Sequence, residues 1–223
     1  MSESMHSTPS LEERFAAAPL YAILDTAVRP ELPAPVILEA LLRAGVRVIQ
    51  YRHKEKFCRA HFEECAALAC RTQAAGGAFF VNDRADVAEL CGADGVHLGQ
   101  QDLPPDKARQ FLTAGRMIGY STHNLEQAQQ TAALPVDYIA IGPVFPTESK
   151  QDPDPVVGLE MVTQVRSLTT KPIVAIGGIT IENAPAVLAA GANAVAVIRD
   201  VLLAPDIEAR ARQFLAALRP AAA

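Results

Sequence analysis

Two aspartates stand where short apolar runs give way to polar residues. Phe79-Phe80-Val81-Asn82-Asp83-Arg84 and Gly95-Val96-His97-Leu98-Gly99-Gln100-Gln101-Asp102 each read as a buried parallel strand delivering side chains at its C-terminal end. Between them, the stretch from Ala85 to Cys91 carries a short helical pattern closed by Gly92. A strand–helix–strand unit puts both strand ends on one face of a sheet, about 4.8 Å apart if the strands are neighbours. Asp83 and Asp102 could then share one hard cation, whose oxygen ligands lie at roughly 2.0–2.1 Å for magnesium. The same two positions suit helix N-caps, since helices are expected after both. Spacing alone leaves the two readings open.

Further chemistry gathers at other strand ends. Gln50, Arg52 and Lys54 alternate with Tyr51 and His53, so in an extended chain the three point the same way. Two cations and an amide suit a phosphate or diphosphate, Arg through its fork and Lys as a point charge; a solvated strand end would look the same. His97 sits inside an apolar run and reads as a core histidine satisfied by its neighbours. Ser121-Thr122-His123-Asn124 offers polar groups but is also a capping sequence. From Pro143 to Val157 runs a long segment with Pro143, Pro146, Pro153 and Pro155 and no periodic pattern, as in functional lids or tolerated insertions. Its Thr147, Ser149 and Lys150 form a second candidate anion clamp. Gly177-Gly178 and Ile198-Arg199 end two later strands, where backbone N–H groups can hold a phosphomonoester. Two anion clamps around a dicarboxylate suggest two phosphorylated substrates, one carrying a diphosphate that leaves with a magnesium ion. No Ser/His/Asp or Cys/His nucleophilic arrangement and no strand-linked GxGxxG accompanies them.

The elements that must position these residues follow a simple alternation. Expected strands are Leu20–Leu24, Val46–Gln50, Ala78–Asn82, Gly95–Leu98, Met117–Ser121, Tyr138–Gly142, Ile173–Ile176 and Ala194–Ile198. Amphipathic stretches separate them, such as the stripe Phe62, Cys65, Ala66, Ala69 and Cys70. Ala44-Gly45-Val46, Cys91-Gly92-Ala93 and Ala190-Gly191-Ala192 mark returns from helix to strand. Eight strand–helix cycles predict an α/β fold, a single-domain (β/α)8 TIM barrel spanning residues 19–219. Residues 1–18, rich in Ser, Glu and Ala, are expected to be a mobile tail.

Composition narrows the function classes. The 223 residues are half apolar, with no apolar run long enough to span a bilayer. The net charge of −5 argues against a nucleic-acid surface, while Arg47, Arg52, His53, Lys54, Lys56 and Arg59 crowd one region and point to a small anion. Cys58, Cys65, Cys70 and Cys91 form no CxxC pair, and Cys58 and Cys65 read as small buried hydrophobes. Met1 to Ser10 lacks an apolar signal-peptide core, and a reducing cytoplasm fits. Small-molecule substrates are expected, with no nucleic-acid or membrane partner; association into a homo-oligomer is left open.

In order along the chain, several motifs resemble those of the thiamine-phosphate synthase family. They are Gln50-Tyr51-Arg52-His53-Lys54, Asn82-Asp83-Arg84, Gly95-Val96-His97-Leu98-Gly99-Gln100-Gln101-Asp102-Leu103-Pro104, Gly119-Tyr120-Ser121-Thr122-His123, Gly142-Pro143-Val144-Phe145-Pro146-Thr147-Glu148-Ser149-Lys150 and Ala175-Ile176-Gly177-Gly178-Ile179. The resemblance implies a Mg²⁺-dependent alkyl transfer. The diphosphate of 4-amino-2-methyl-5-hydroxymethylpyrimidine departs dissociatively, and the nitrogen of thiazole phosphate attacks the exposed carbon to give thiamine phosphate. It also implies that Gln50, Arg52, Lys54, Asn82 and Lys150 hold the pyrimidine diphosphate, with Ser121 against the pyrimidine. Lys150, Arg52, Lys54 and Ser121 would serve catalysis, and Asp83 and Asp102 would bind Mg²⁺. Thr147, Ser149 and the backbone of Gly178, Ile198 and Arg199 would hold the thiazole phosphate. Two residues depart from the family pattern. His53 stands where an acidic residue is usual and is expected to point away from the pocket, and Arg199 stands where a small Ser is usual. Two rival readings are a thiazole tautomerase acting through His123, and a silent barrel that only binds phosphorylated ligand. The complete cation and carboxylate set favours the synthase.

Overall fold

A computed structural model of the chain describes residues 9–147 and 154–219. Eight parallel strands pair in sequence order and close on themselves, the eighth against the first. They are β1 (Leu20–Asp25), β2 (Val48–Arg52), β3 (Ala78–Asn82), β4 (Gly95–Leu98), β5 (Met117–Thr122), β6 (Tyr138–Ile141), β7 (Ile173–Ala175) and β8 (Ala194–Val197). The outer ring carries α2 (Ala34–Ala44), α3 (Arg59–Ala74), α4 (Ala85–Leu90), α5 (Pro105–Phe111), α6 (Leu125–Ala132), α7 (Gly158–Leu168) and α8 (Ala184–Ala189). The short α9 (Arg199–Leu202) and then α10 (Ile207–Ala217) follow β8, and α1 (Leu11–Ala17) precedes β1. The expected (β/α)8 barrel is the fold. Among the described residues, no helix is long and apolar enough to cross a membrane.

The pleat divides each strand between two cores. Outward-facing Leu20, Ile49, Phe79, Val96, Ile139 and Val195 pack under the helices. Inward-facing Tyr21, Val48, Ala78, Phe80, Tyr138 and Ala194 fill the barrel. Gly119 makes room inside: a Cβ there would fall 2.0 Å from the Tyr138 ring.

Three expectations are corrected. Leu11–Ala17 form a helix where a mobile tail was expected, while residues 1–8 lie outside the described residues. Ser10 and Glu13 make a capping box: Glu13 N–H donates to Ser10 Oγ at 3.2 Å, and Ser10 N–H to Glu13 Oε2 at 2.7 Å. Leu11 and Phe15, one turn apart, bury into the interior core beside Val48 and Ala78, which open their strands, so α1 covers the N-terminal mouth. Second, β2 begins at Val48 rather than Val46 and runs through Arg52. Gly45 is left-handed at φ 101°, and Val46 N–H still donates to Leu41 C=O at 3.1 Å, so Val46 belongs to the end of α2. Third, the buried stripe of α3 is Cys65, Leu68, Ala69 and Thr72; Cys70 and Cys58 are exposed.

Candidate active site

The C-terminal ends of all eight strands surround one cavity of about 980 Å³. Asp83 follows β3 directly, in the left-handed region at φ 63°, its N–H donating to His97 C=O at 2.8 Å. A non-glycine residue held there is strained, and such positions cluster at functional sites. Asp102 lies beyond β4, where Gly99 N–H donates to its Oδ2 at 2.7 Å. Burial pushes the Asp102 carboxyl above its ordinary pKa; Gly99 pulls it down, and the adjacent Asp83 charge adds to the rise. Neither acid is a helix N-cap: Arg84 takes that position for α4 and Pro104 for α5. The capping alternative therefore falls, and the two carboxylates share one side of the cavity.

Gln50, Arg52 and Lys54 line the same cavity. Lys54 Nζ lies 2.5 Å from Asp83 Oδ2, and the Arg52 guanidinium pairs with Asp25. His53, between them in sequence, turns aside to Thr26 Oγ1 at 2.8 Å and packs at a tilt against His61 with ring centres 3.9 Å apart. Asn82 also faces the cavity, and its Nδ2 is a buried donor with no hydrogen-bond partner among the described residues. Buried amides are nearly always satisfied, so this donor points to a ligand acceptor.

The cavity floor holds a continuous chain of hydrogen bonds. Gln50 Nε2 donates to Tyr21 Oη at 3.0 Å; Tyr21 and Tyr138 hydroxyls meet at 2.9 Å. Tyr138 Oη lies 2.8 Å from His97 Nδ1, and His97 Nε2 lies 2.8 Å from Ser121 Oγ. Burial raises the phenol pKa of both tyrosines, which stay neutral and can pass on a fixed hydrogen-bond direction. His97 is thus satisfied on both nitrogens. Tyr21 and Tyr138 escaped sequence reading because a strand tyrosine facing inward has the same pattern as any core aromatic. Asp25 was missed for a similar reason: it looks like a turn residue until β1 and β2 are aligned.

At the opposite wall lie Thr147, Gly178, Ile198 and Arg199; Ser149 and Lys150 fall outside the described residues. Gly177 and Gly178 are left-handed at φ 89° and 64°, and a Cβ on Gly178 would fall 2.3 Å from Pro146 C=O. Val144 N–H donates to Ile176 C=O at 2.8 Å, so the start of the long loop is tied to this glycine turn. Asn124 caps α6, accepting Gln127 N–H at 2.9 Å, which leaves Ser121 for the floor. His123 Nδ1 lies 2.6 Å from Gly142 C=O, where it must donate. Among the described residues no cluster of three or more His, Cys, Asp or Glu side chains suits a metal ion. A cation here would have two protein carboxylates and draw its other oxygens from water and substrate, as magnesium commonly does.

Known proteins share both sequence and fold with this chain. The sequence model for thiamine monophosphate synthase matches residues 20–201. The thiamine-phosphate synthase of Koribacter versatilis is 45% identical over 200 residues, covering 88% of this chain and 93% of that protein. That of Lawsonia intracellularis is 40% identical over 201 residues, covering 90% and 93%. The solved structure of thiamine phosphate pyrophosphorylase from Pyrococcus furiosus superposes with a TM-score of 0.83 at 33% identity, over 92% of this chain and 96% of that one. By sequence along nearly its whole barrel and by fold, this chain belongs to the thiamine-phosphate synthase family.

Proposed function

We propose that the barrel mouth joins 4-amino-2-methyl-5-hydroxymethylpyrimidine diphosphate to thiazole phosphate, releasing diphosphate and forming thiamine phosphate. The observation that carries this reading is the facing arrangement at one end of the barrel. Arg52 at the end of β2 and Lys54 just past it confront Asp83 and Asp102 beyond β3 and β4, with the Gly177-Gly178 turn across the same cavity. In this assignment Arg52 and Lys54 bind the diphosphate by charge-assisted hydrogen bonds. Lys150 adds a third cation from the long loop. Gln50, Asn82 and Ser121 orient the pyrimidine ring, with Gln50 and Ser121 held by the floor of tyrosines and His97. Thr147 and Ser149, with the backbone at Gly178, Ile198 and Arg199, hold the thiazole phosphate.

Asp83 and Asp102 would hold Mg²⁺. Their hard oxygens, adjacent and with one carboxyl pKa raised by burial and by the other's charge, fit such an ion. When bound, Mg²⁺ neutralises charge on the departing diphosphate. The protein's own contribution is fixed positive charge where negative charge grows, and a walled cavity that keeps water from the electron-poor carbon. Substitution is proposed to be dissociative, with the C–O bond to diphosphate breaking before the thiazole nitrogen supplies its electron pair. The setting proposed is the cytoplasm, where four unpaired cysteines remain reduced.

Incubating the protein with both substrates, with and without Mg²⁺, tests the reading. Thiamine phosphate formed only with the metal supports it. Metal-independent isomerisation of thiazole phosphate without coupling, or binding without turnover, contradicts it.

A further inference from the structure

Arg52 is held from behind as well as offered to the cavity. Asp25 ends β1 and is the register partner of Arg52 on β2. It is 3% exposed, and its Oδ2 pairs with the Arg52 guanidinium. Its Oδ1 accepts the Ala27 N–H at 3.0 Å, so both oxygens of the buried carboxylate are engaged, as burial of a charge requires. The main chain is gripped as well. Thr26 N–H donates to Arg52 C=O at 3.1 Å, and Thr26 Oγ1 meets His53 Nδ1 at 2.8 Å. His53, the departure from the usual acidic residue, thus helps fasten the end of β2 to the end of β1.

Arg52 lines the cavity and Asp25 does not, so the carboxylate stands behind the guanidinium. A guanidinium has five N–H donors in a rigid fork. Tying one nitrogen to a buried anion directs the others and removes the rotamer freedom that makes exposed cations weak ligands. We infer that Asp25 is a positioning residue for the reaction, aiming the Arg52 fork at the diphosphate of the pyrimidine substrate. This inference rests on the function proposed above and assigns a role to a residue that touches neither substrate.

The test compares Asp25→Asn, which removes the charge at constant shape, with Asp25→Glu, which keeps the charge but displaces it by one methylene. Because Asp25→Glu retains the ion pair's charge balance, it decides the matter if Asp25→Asn does not fold. Misplacing a reacting group by about 1 Å costs ~10²-fold, so kcat/KM for the pyrimidine diphosphate should fall by that order. KM for thiazole phosphate should stay within about twofold, since that substrate does not meet Arg52. In an Arg52→Gln background, Asp25→Asn should add almost nothing, as expected of two residues acting through one contact. Additive losses in the double variant, or an equal rise in KM for both substrates, would reduce Asp25 to a structural role and overturn the inference. Calorimetry with inorganic pyrophosphate repeats the comparison without turnover. Weaker binding by Asp25→Glu at an unchanged melting temperature supports the inference, and unchanged binding overturns it. Wild-type protein that binds pyrophosphate but forms no thiamine phosphate contradicts the proposed function alone.

Discussion

Lys54 Nζ rests 2.5 Å from Asp83 Oδ2, so a cation of the proposed diphosphate clamp occupies a carboxylate of the proposed metal pair. The lysine side chain is 50% exposed, and exposed pairs contribute only about 0–1 kcal/mol. If Asp83 holds the proposed metal, lysine and metal would compete for one oxygen, and metal binding would free the lysine for phosphate. Lys54→Met should therefore bind Mn²⁺ alone up to about fivefold more tightly, the factor that ~1 kcal/mol sets, while binding pyrophosphate more weakly. Paramagnetic resonance titration of Mn²⁺ checks this; weaker Mn²⁺ binding would show that the two do not compete.

Asp83→Ala and Lys150→Ala should each lower turnover by ~10²–10³, the usual cost of removing one aimed charge. Circular dichroism should show both still folded. Near-wild-type rates in either variant would remove its assigned role.

Asp102 gives a stability prediction of definite sign. Its folded pKa lies above the unfolded value of 3.8, so between the two the folded state binds more protons and stability falls as pH rises. With chelator present, Asp102→Asn should melt higher than wild type at pH 7, and the gain should vanish below the unfolded pKa. Added Mg²⁺ should raise the wild-type melting temperature and leave that of the variant unmoved. A variant less stable than wild type at pH 7 in chelator would contradict the burial and like-charge account.

Phe15, 1% exposed, seals the N-terminal mouth of the barrel from α1. Phe15→Ala should cost ~3–5 kcal/mol in urea unfolding, with KM for both substrates unchanged because the cavity opens at the other end. Unaltered stability would mean that α1 is not part of the core.

Residue spacing carried the barrel far. Short apolar runs located every strand, and the glycines after α2, α4 and α8 marked the returns. Local pattern failed where a neighbour in space decides. Val46 has the look of a strand residue, but the Gly45 cap draws it into the end of α2. The Ser10-x-x-Glu13 box and the one-turn spacing of Leu11 and Phe15 were present in the text of the chain, yet a Ser- and Glu-rich composition hid them. The acids and cations of the cavity could be read because strand ends point to one face. Asp25, Tyr21 and Tyr138 could not, since their roles depend on partners up to 117 residues away.

The central claim is geometric, and one measurement tests it most directly: anomalous diffraction from crystals grown with Mn²⁺, pyrophosphate and thiamine phosphate. The account predicts a single strong peak between the carboxylates of Asp83 and Asp102, with pyrophosphate bridging it to Arg52 and Lys54. A metal peak elsewhere, or pyrophosphate seated on the Gly177-Gly178 turn, would contradict it.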